Sequence, residues 1–253
     1  ALIHKGAKID KSSVIGPFCS IGPKVKIGKN CNLHSNVVIG GKTDIGDNCN
    51  FFPFSVIGMI PQDLKFKGEE TTTIIGDGVI IRECVTINRG TNHNKTTIVG
   101  DNTFLMAYSH VAHDCVIQNN VIVANGVAIA GHVEIDEYAI IGGLSAIQQF
   151  TKVGKFSMIS GGSLVRKDVP PYIKVAKEPL RFISINKIGL KRNNFKKEEI
   201  ENIGSMFRII FQEGNNISKA IEILEKNQDL SNEKQEILKF IKNSKTGIIK
   251  GFY

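Results

Sequence analysis

Every sixth residue from Ile3 to Val165 carries the same kind of side chain, and this regularity restricts the fold more than any other feature of the chain. Of the 28 positions in that series, 25 are Ile, Val, Leu or Phe; the exceptions are Asp63, Glu69 and His93. An apolar content of 42% would place about 12 there by chance. The next residue is often glycine, as at Gly16, Gly28, Gly76 and Gly142, where the backbone must turn tightly. The residue four after the marked one is small or β-branched, as at Ala7, Ser13, Cys19, Val25 and Val121. A period of six with two inward positions fits neither a helix nor an alternating strand. It implies three short strands per coil, with residues 18 apart stacked at the strand spacing of about 4.8 Å.

The pattern resembles the hexapeptide repeat of left-handed parallel β-helices. The expected fold class is mainly β: such a β-helix over residues 1–171, then a small C-terminal α-helical domain over 172–253. Two stretches, 59–73 and 88–97, put polar residues at inward positions without disturbing the later register, and are expected to project as loops. Loops on a rigid scaffold collect binding residues, and the first holds Asp63, Lys65 and Lys67. Pro170-Pro171 is expected to stop the coil. A helical pattern begins near Lys196, with Ile200, Ile203, Met206, Phe207, Ile210 and Phe211 on one face, and ends at Gly214. Ser218 and Asn232 are expected to cap two more helices. Cys19, Cys31, Cys49 and Cys115 occupy the small inward position, so a buried stack rather than a disulfide is expected, although Cys31 and Cys49 should lie close.

No apolar run approaches the roughly 20 residues of a membrane span, and Ala1-Leu-Ile-His-Lys5 lacks the layout of a secretory signal. A cytoplasmic protein without stable membrane insertion is expected. The net charge is +8, and 16 basic against 10 acidic residues from Tyr172 onward carry six of those charges. No aromatic-rich RNA-binding signature accompanies them, so nucleic acid is not an expected partner.

Four of the six histidines lie between His93 and His132. His113 stands two residues past inward Val111 and should point away from the core. Stacking in steps of 18 places Gly131 and then Gln149 above His113, and His132 above Asp114. One outer face would then gather two imidazoles, a carboxylate, an amide side chain and an approachable glycine N–H. His113 is suited to act as general base on a hydroxyl, with Asp114 holding the ring tautomer. The Gly131 N–H is placed to donate to the oxyanion formed at an acyl carbonyl. Cys115 is inward by register and no G-x-S-x-G motif occurs, which favours direct transfer over a covalent acyl-enzyme.

The run His110-Val-Ala-His-Asp-Cys115, then Ala130-Gly-His-Val133, Ile141-Gly-Gly143, Gln149-Phe150, Asp168-Val-Pro-Pro-Tyr172 and Gly189-Leu-Lys-Arg192, resembles the UDP-N-acetylglucosamine O-acyltransferases of lipid A biosynthesis. Pro61-Gln-Asp-Leu-Lys65 and Arg89-Gly-Thr91 match as well. The resemblance spans essentially the whole chain. It implies transfer of a 3-hydroxyacyl group from acyl carrier protein to the 3-hydroxyl of UDP-N-acetylglucosamine, in a homotrimer with clefts between neighbouring β-helices. No cofactor or metal is implied. The resemblance assigns His113 as base, Asp114 as its partner and Gly131 as oxyanion donor. It places Asp63, Lys65, His110, His132 and Gln149 in the substrate cleft, Asn186 and Arg192 near the nucleotide, and Gly161 where acyl length is measured. Guanidinium also pairs well with phosphate on physical grounds, which suits Arg192. Acyl carrier protein is strongly acidic, and the basic helical region is expected to steer it.

Asn88, Gln148, Ile188 and Asn193 depart from the family pattern. The first two stand where histidine is common, Ile188 where an acidic residue is common, and Asn193 where a second basic residue often follows Arg192. An alternative acceptor is therefore the 3-amino analogue of the sugar, giving an amide. Relatives that N-acylate an already acylated UDP-glucosamine carry an extra N-terminal domain, whereas the hexads here begin at Ile3. From other classes come a zinc carbonic anhydrase using His110, His113 and His132, and a non-catalytic binding module.

Overall fold

The computed structural model describes every residue except Gln228, Phe252 and Tyr253. Among the described residues, strands of mostly two residues, such as His110–Val111, stack into three sheets of nine, eight and ten strands, parallel throughout except for the last pair of the third sheet. The first sheet runs from Leu2–Ile3 to Leu164–Val165, the second from Lys8–Ile9 to Lys152–Val153, and the third from Val14–Ile15 upward. The chain visits them in that order on every turn, which makes a three-sided left-handed parallel β-helix. His110 pairs with Ala128 and Ala128 with Ala146, so a plain coil takes 18 residues.

The two loops lengthen their coils without breaking this count. Val56 pairs with Thr86, 30 residues on, and Thr86 with His110, 24 on. Both excesses are multiples of six, which is why the inward series survives them. The loops are shorter than the polar stretches suggested. Met59, Thr72 and Thr73 belong to strands, as do Asn88, Thr96 and Thr97, so 60–71 and 89–95 project. Thr73 and Thr97 still point inward and are fully buried, a polar use of an inward position that the apolar pattern alone reads as loop.

Inward side chains fill the column. Ile117, Ile129, Ile135 and Ile141 are wholly buried, and each such side chain stabilises the fold by about 1.5–3 kcal/mol. Cys19, Cys31, Cys49 and Cys115 are buried free thiols, as their register predicts. The Cys19 Sγ donates to the His34 carbonyl at 2.9 Å and the Cys115 Sγ to that of Ala130 at 3.1 Å, one coil up.

The three outer faces differ sharply. The second sheet presents Lys8, Lys24, Lys26, Lys42 and Asp44 on its first coils, Ile74, Ile98 and Val116 on the middle ones, and Glu134 and Lys152 above them. The third presents Ile80, Phe104, Ile122, Ile140 and Met158, and the first Val38, Val56, Ala128, Ala146 and Leu164. The corner joining the third sheet to the first carries Phe18, Phe54, Tyr108 and Leu144, each more than half exposed.

The chain does not leave the column at Pro170-Pro171. Ile173–Ala176 pairs in parallel with Met158–Ile159, and Arg181–Ile185 then turns back antiparallel on it. The proline pair bends the path but leaves the sheet edge open to one more strand. Four helices follow: α1 (Lys187–Arg192), α2 (Lys197–Phe211), α3 (Ile217–Lys226) and α4 (Asn232–Lys242). The expected caps fall elsewhere: Asn216 caps α3 by accepting from the Lys219 N–H, and Ser231 caps α4 by accepting from that of Lys234. Ser218 and Asn232 lie just inside their helices. The apolar face of α2 is buried as its spacing predicts, with Phe207 and Phe211 stacked on Phe182. On the other side Glu236 of α4 takes hydrogen bonds from Lys155, at 2.5 Å, and from Tyr172, which fastens the helices to the column. Among the described residues no helix is long and apolar enough to cross a membrane.

Candidate active site

The corner leading from the first sheet into the second repeats the same turn on successive coils. Asp114, His132 and Phe150 adopt positive φ of 59°, 62° and 64° there. Their preceding residues, His113, Gly131 and Gln149, form a second column beside them. Vertical stacking is direct: the His132 N–H donates to the His113 carbonyl at 3.1 Å and the Phe150 N–H to that of Gly131 at 3.3 Å.

His113 lies tight against Gly131. A Cβ built on Gly131 would stand 2.6 Å from His113 Cε1 and 2.8 Å from Nε2. Only glycine permits that approach, and it brings the free ring nitrogen against the side of Gly131 where a Cβ would stand. The other ring nitrogen, Nδ1, lies 2.8 Å from Asp114 Oδ2. His113 is outside the column interior, yet only 6% exposed, packed between Gly131, the His132 ring and Asp114.

Asp114 fixes the 89–95 loop. Its carboxylate accepts from the Thr91 N–H at 3.0 and 3.1 Å, the Thr91 hydroxyl at 2.5 Å and the Asn94 N–H at 3.2 Å, while its own N–H donates to Thr97 Oγ1 at 2.8 Å. Burial alone would push the carboxyl up, but the Thr91 hydroxyl, His113 and the amides of Thr91 and Asn94 together hold it below its usual value. It stays ionised, as an imidazole partner must.

Around this pair sit three aromatic rings. His132 stacks on Phe150 at 4.5 Å and meets the His113 ring edge-on at 5.0 Å, and His93 of the loop lies edge-on to His132 at 4.7 Å. Burial holds the His132 imidazole below its ordinary range, with His113 and His93 adding to the effect and Asp114 and Asp63 opposing it. His110, one strand earlier, meets Thr86 Oγ1 at 2.7 Å, and burial together with His113 lowers its pKa. The first loop meets the second through Phe66, which lies 5.2 Å under the Arg89 guanidinium.

The fold therefore gathers Asp63, His110, His113, Asp114, Gly131 and His132 at one corner. Gln149 is exposed one coil above Gly131, and Lys65 is exposed on the first loop, its N–H on Asp63 Oδ1 at 2.9 Å. Gly161 lies at the corner between the third and first sheets and does not meet His113 within one chain. Asn186 is buried: it caps α1 by accepting from the Gly189 N–H at 3.2 Å and donates to the Phe156 carbonyl at 2.9 Å. Arg192 is exposed at the end of α1.

Sequence reasoning missed Thr91 and Asn94 as holders of Asp114, Phe150 as the platform under His132, and His93. Phe150 was within reach of the stacking rule, 18 residues after His132; the loop residues carry no periodic signal. His110 does not join His113 and His132 in one ligand set, as the carbonic anhydrase alternative requires. Among the described residues the set of potential metal-ligating atoms is His113, Asp114 and His132, and the Asp114 oxygens are already occupied by the Thr91, Asn94 and His113 donors.

Residues 168–249 match the family model described as UDP-N-acetylglucosamine O-acyltransferase, domain 2, residues 96–131 match the bacterial transferase hexapeptide model, and residues 1–99 match the model of the GMPPB C-terminal domain. The chain is 39% identical to the acyl-[acyl-carrier-protein]–UDP-N-acetylglucosamine O-acyltransferase of Campylobacter concisus, over 97% of this chain and 96% of the relative. It is 44% identical to the protein of that name from Thermodesulfovibrio yellowstonii, over 98% and 96%. The solved UDP-N-acetylglucosamine acyltransferase of Francisella novicida superposes with a TM-score of 0.96 at 38% identity, covering 99% of this chain and 92% of that one.

Proposed function

Since the chain belongs to the UDP-N-acetylglucosamine O-acyltransferase family, we propose that it moves a 3-hydroxyacyl group from acyl carrier protein to the 3-hydroxyl of UDP-N-acetylglucosamine with His113 as general base. The observation that carries this is the close packing of the His113 ring on Gly131, which puts a proton acceptor next to the residue whose N–H is to serve as donor. His113 Nε2 takes the proton of the sugar hydroxyl as its oxygen attacks the thioester carbonyl carbon. The Gly131 N–H donates to the oxyanion that forms. On collapse the C–S bond breaks, and the imidazolium, held by Asp114, returns the proton to the carrier's departing thiolate. Asp63, Lys65, His110, His132 and Gln149 line the acceptor and thioester cleft, and Arg192 meets the nucleotide phosphates. Asn186 acts there by positioning α1.

The working assembly is a homotrimer. The apolar outer faces of the first and third sheets and the Phe18–Phe54–Tyr108–Leu144 ridge between them are contiguous surface of the kind copies bury. Association through those faces brings Gly161 of one copy towards the His113 corner of another, and sedimentation equilibrium should give the mass of three chains.

The test is His113→Ala, assayed with UDP-N-acetylglucosamine and its 3-amino analogue side by side. We expect a loss in kcat of about 10³-fold with the fold intact by circular dichroism. Near-normal turnover overturns the base assignment, and a wild-type preference for the amine overturns O-transfer.

A further inference from the structure

The second sheet carries a lysine array that chemistry at His113 does not use. Residues 1–45 hold seven lysines and two aspartates, and Lys8, Lys24, Lys26 and Lys42 project from one flat face of this sheet. Parallel register sets Lys8 opposite Lys26 and Lys24 opposite Lys42. Like charges at about the 4.8 Å strand spacing destabilise a sheet. Lys26 meets Asp44 at 3.0 Å, and Lys24 pairs with Glu70. Glu70 ends the first projecting loop, the loop that holds Asp63 and Lys65. That loop therefore leans from the His113 corner down onto the lysine face, and its exposed Lys65 and Lys67 extend the basic surface to the mouth of the site.

The helical region, whose net charge pointed to the same task, is arranged differently. Its cations alternate with acids: Lys197 with Glu201, Lys226 with Glu222, Lys242 with Glu225. The surplus there is spread, whereas the first coils of the second sheet set four lysines against Asp44 and Glu70 on one plane and keep a local excess of positive charge. This plane also stays outside a trimer built on the other two faces.

We infer that the second-sheet lysine face is the docking surface for the acidic carrier protein, which rests there while its thioester arm enters the cleft past the first loop. This rests on the acyl-transfer reading above. A surface with an excess of one sign near a cleft raises association rates and makes them salt-dependent.

The experiment combines Lys24→Gln, Lys26→Gln and Lys42→Gln in the full chain and supplies the acyl group either on carrier protein or on free pantetheine. The expected result is a KM for acyl-carrier protein raised about tenfold, with its salt dependence flattened. Rates with acyl-pantetheine and KM for the UDP-sugar stay as in wild type. An unchanged carrier KM, or an equal loss with both thioesters, overturns the inference. So does a larger effect from Lys187→Gln with Lys191→Gln, which line the groove between Arg181–Ile185 and α2. Wild-type binding to anionic phospholipid vesicles that the triple variant loses, with carrier KM unchanged, assigns the face to a membrane instead. If the wild type transfers from neither thioester, the acyl-transfer reading fails. Salt-dependent binding of the carrier protein itself, lost in the triple variant or not, then decides the docking surface separately.

Discussion

Gly131→Ala tests the site's geometry with one added methyl. The new Cβ would stand 2.6, 2.8 and 3.2 Å from His113 Cε1, Nε2 and Nδ1. Ordinary contact needs about 3.5 Å, so the imidazole must retreat by about 1 Å. It has little freedom to do so, since Nδ1 is held at 2.8 Å by Asp114 and the ring packs at 5.0 Å against His132. A base displaced by about 1 Å loses on the order of 100-fold in rate, or about 2.7 kcal/mol of transition-state stabilisation. The Gly131 amide itself survives the change, so the loss reports on the base. Gly131 is not in the left-handed region, and alanine there carries no backbone strain. Displacing the ring costs about 1–3 kcal/mol of stability, so kcat/KM is measured, by thioester consumption at saturating sugar nucleotide, at a temperature where circular dichroism shows the variant folded. A Gly131→Ala enzyme within threefold of wild type would refute the claim that base and oxyanion donor are packed against each other.

Thr91→Val removes a hydroxyl donor from Asp114 Oδ2 and makes that oxygen a stronger acceptor towards His113. The acidic limb of the kcat/KM profile should move up by as much as about one pH unit, and Thr91→Ser should restore it; a fall in rate with no movement of the limb would reduce Thr91 to a packing role. Asp136 has its carboxyl pushed up to about 6 by burial and by Glu134, against the pull of Lys152. The folded chain thus holds this proton more tightly than the unfolded one, and stability falls as pH rises from about 4 through about 6. Asp136→Asn should therefore stabilise the protein by about 3 kcal/mol at pH 8 and by much less at pH 4, read from urea unfolding at both pH values. Equal gains at the two would show that ionisation is not the cause.

The column was legible because its constraint is periodic. An inward side chain every six residues dictates three strands per coil, and His113, Gly131 and Gln149, or Asp114, His132 and Phe150, then follow by counting. Counting also accommodated the loops, whose excess length is a multiple of six. What it could not reach were contacts made by the loops themselves. Thr91 and Asn94 bind Asp114 through a path with no repeat, so nothing in their spacing marks them. The strands Ile173–Ala176 and Arg181–Ile185 were missed for a related reason: they come after the hexads end, and the open edge of the third sheet, not their own pattern, makes them strands. At the helix starts, Asn216 and Ser231 each lie within two residues of the expected cap, and backbone geometry chose between neighbouring polar residues.

Backbone pairing between coils fixes the height of every group along the column. A functional side chain can be moved up or down only by a whole coil, about 4.8 Å at a time. Dimensions of the cleft are in that sense quantised, and any finer adjustment has to come from side-chain bulk at a given level or from the two loops that escape the lattice.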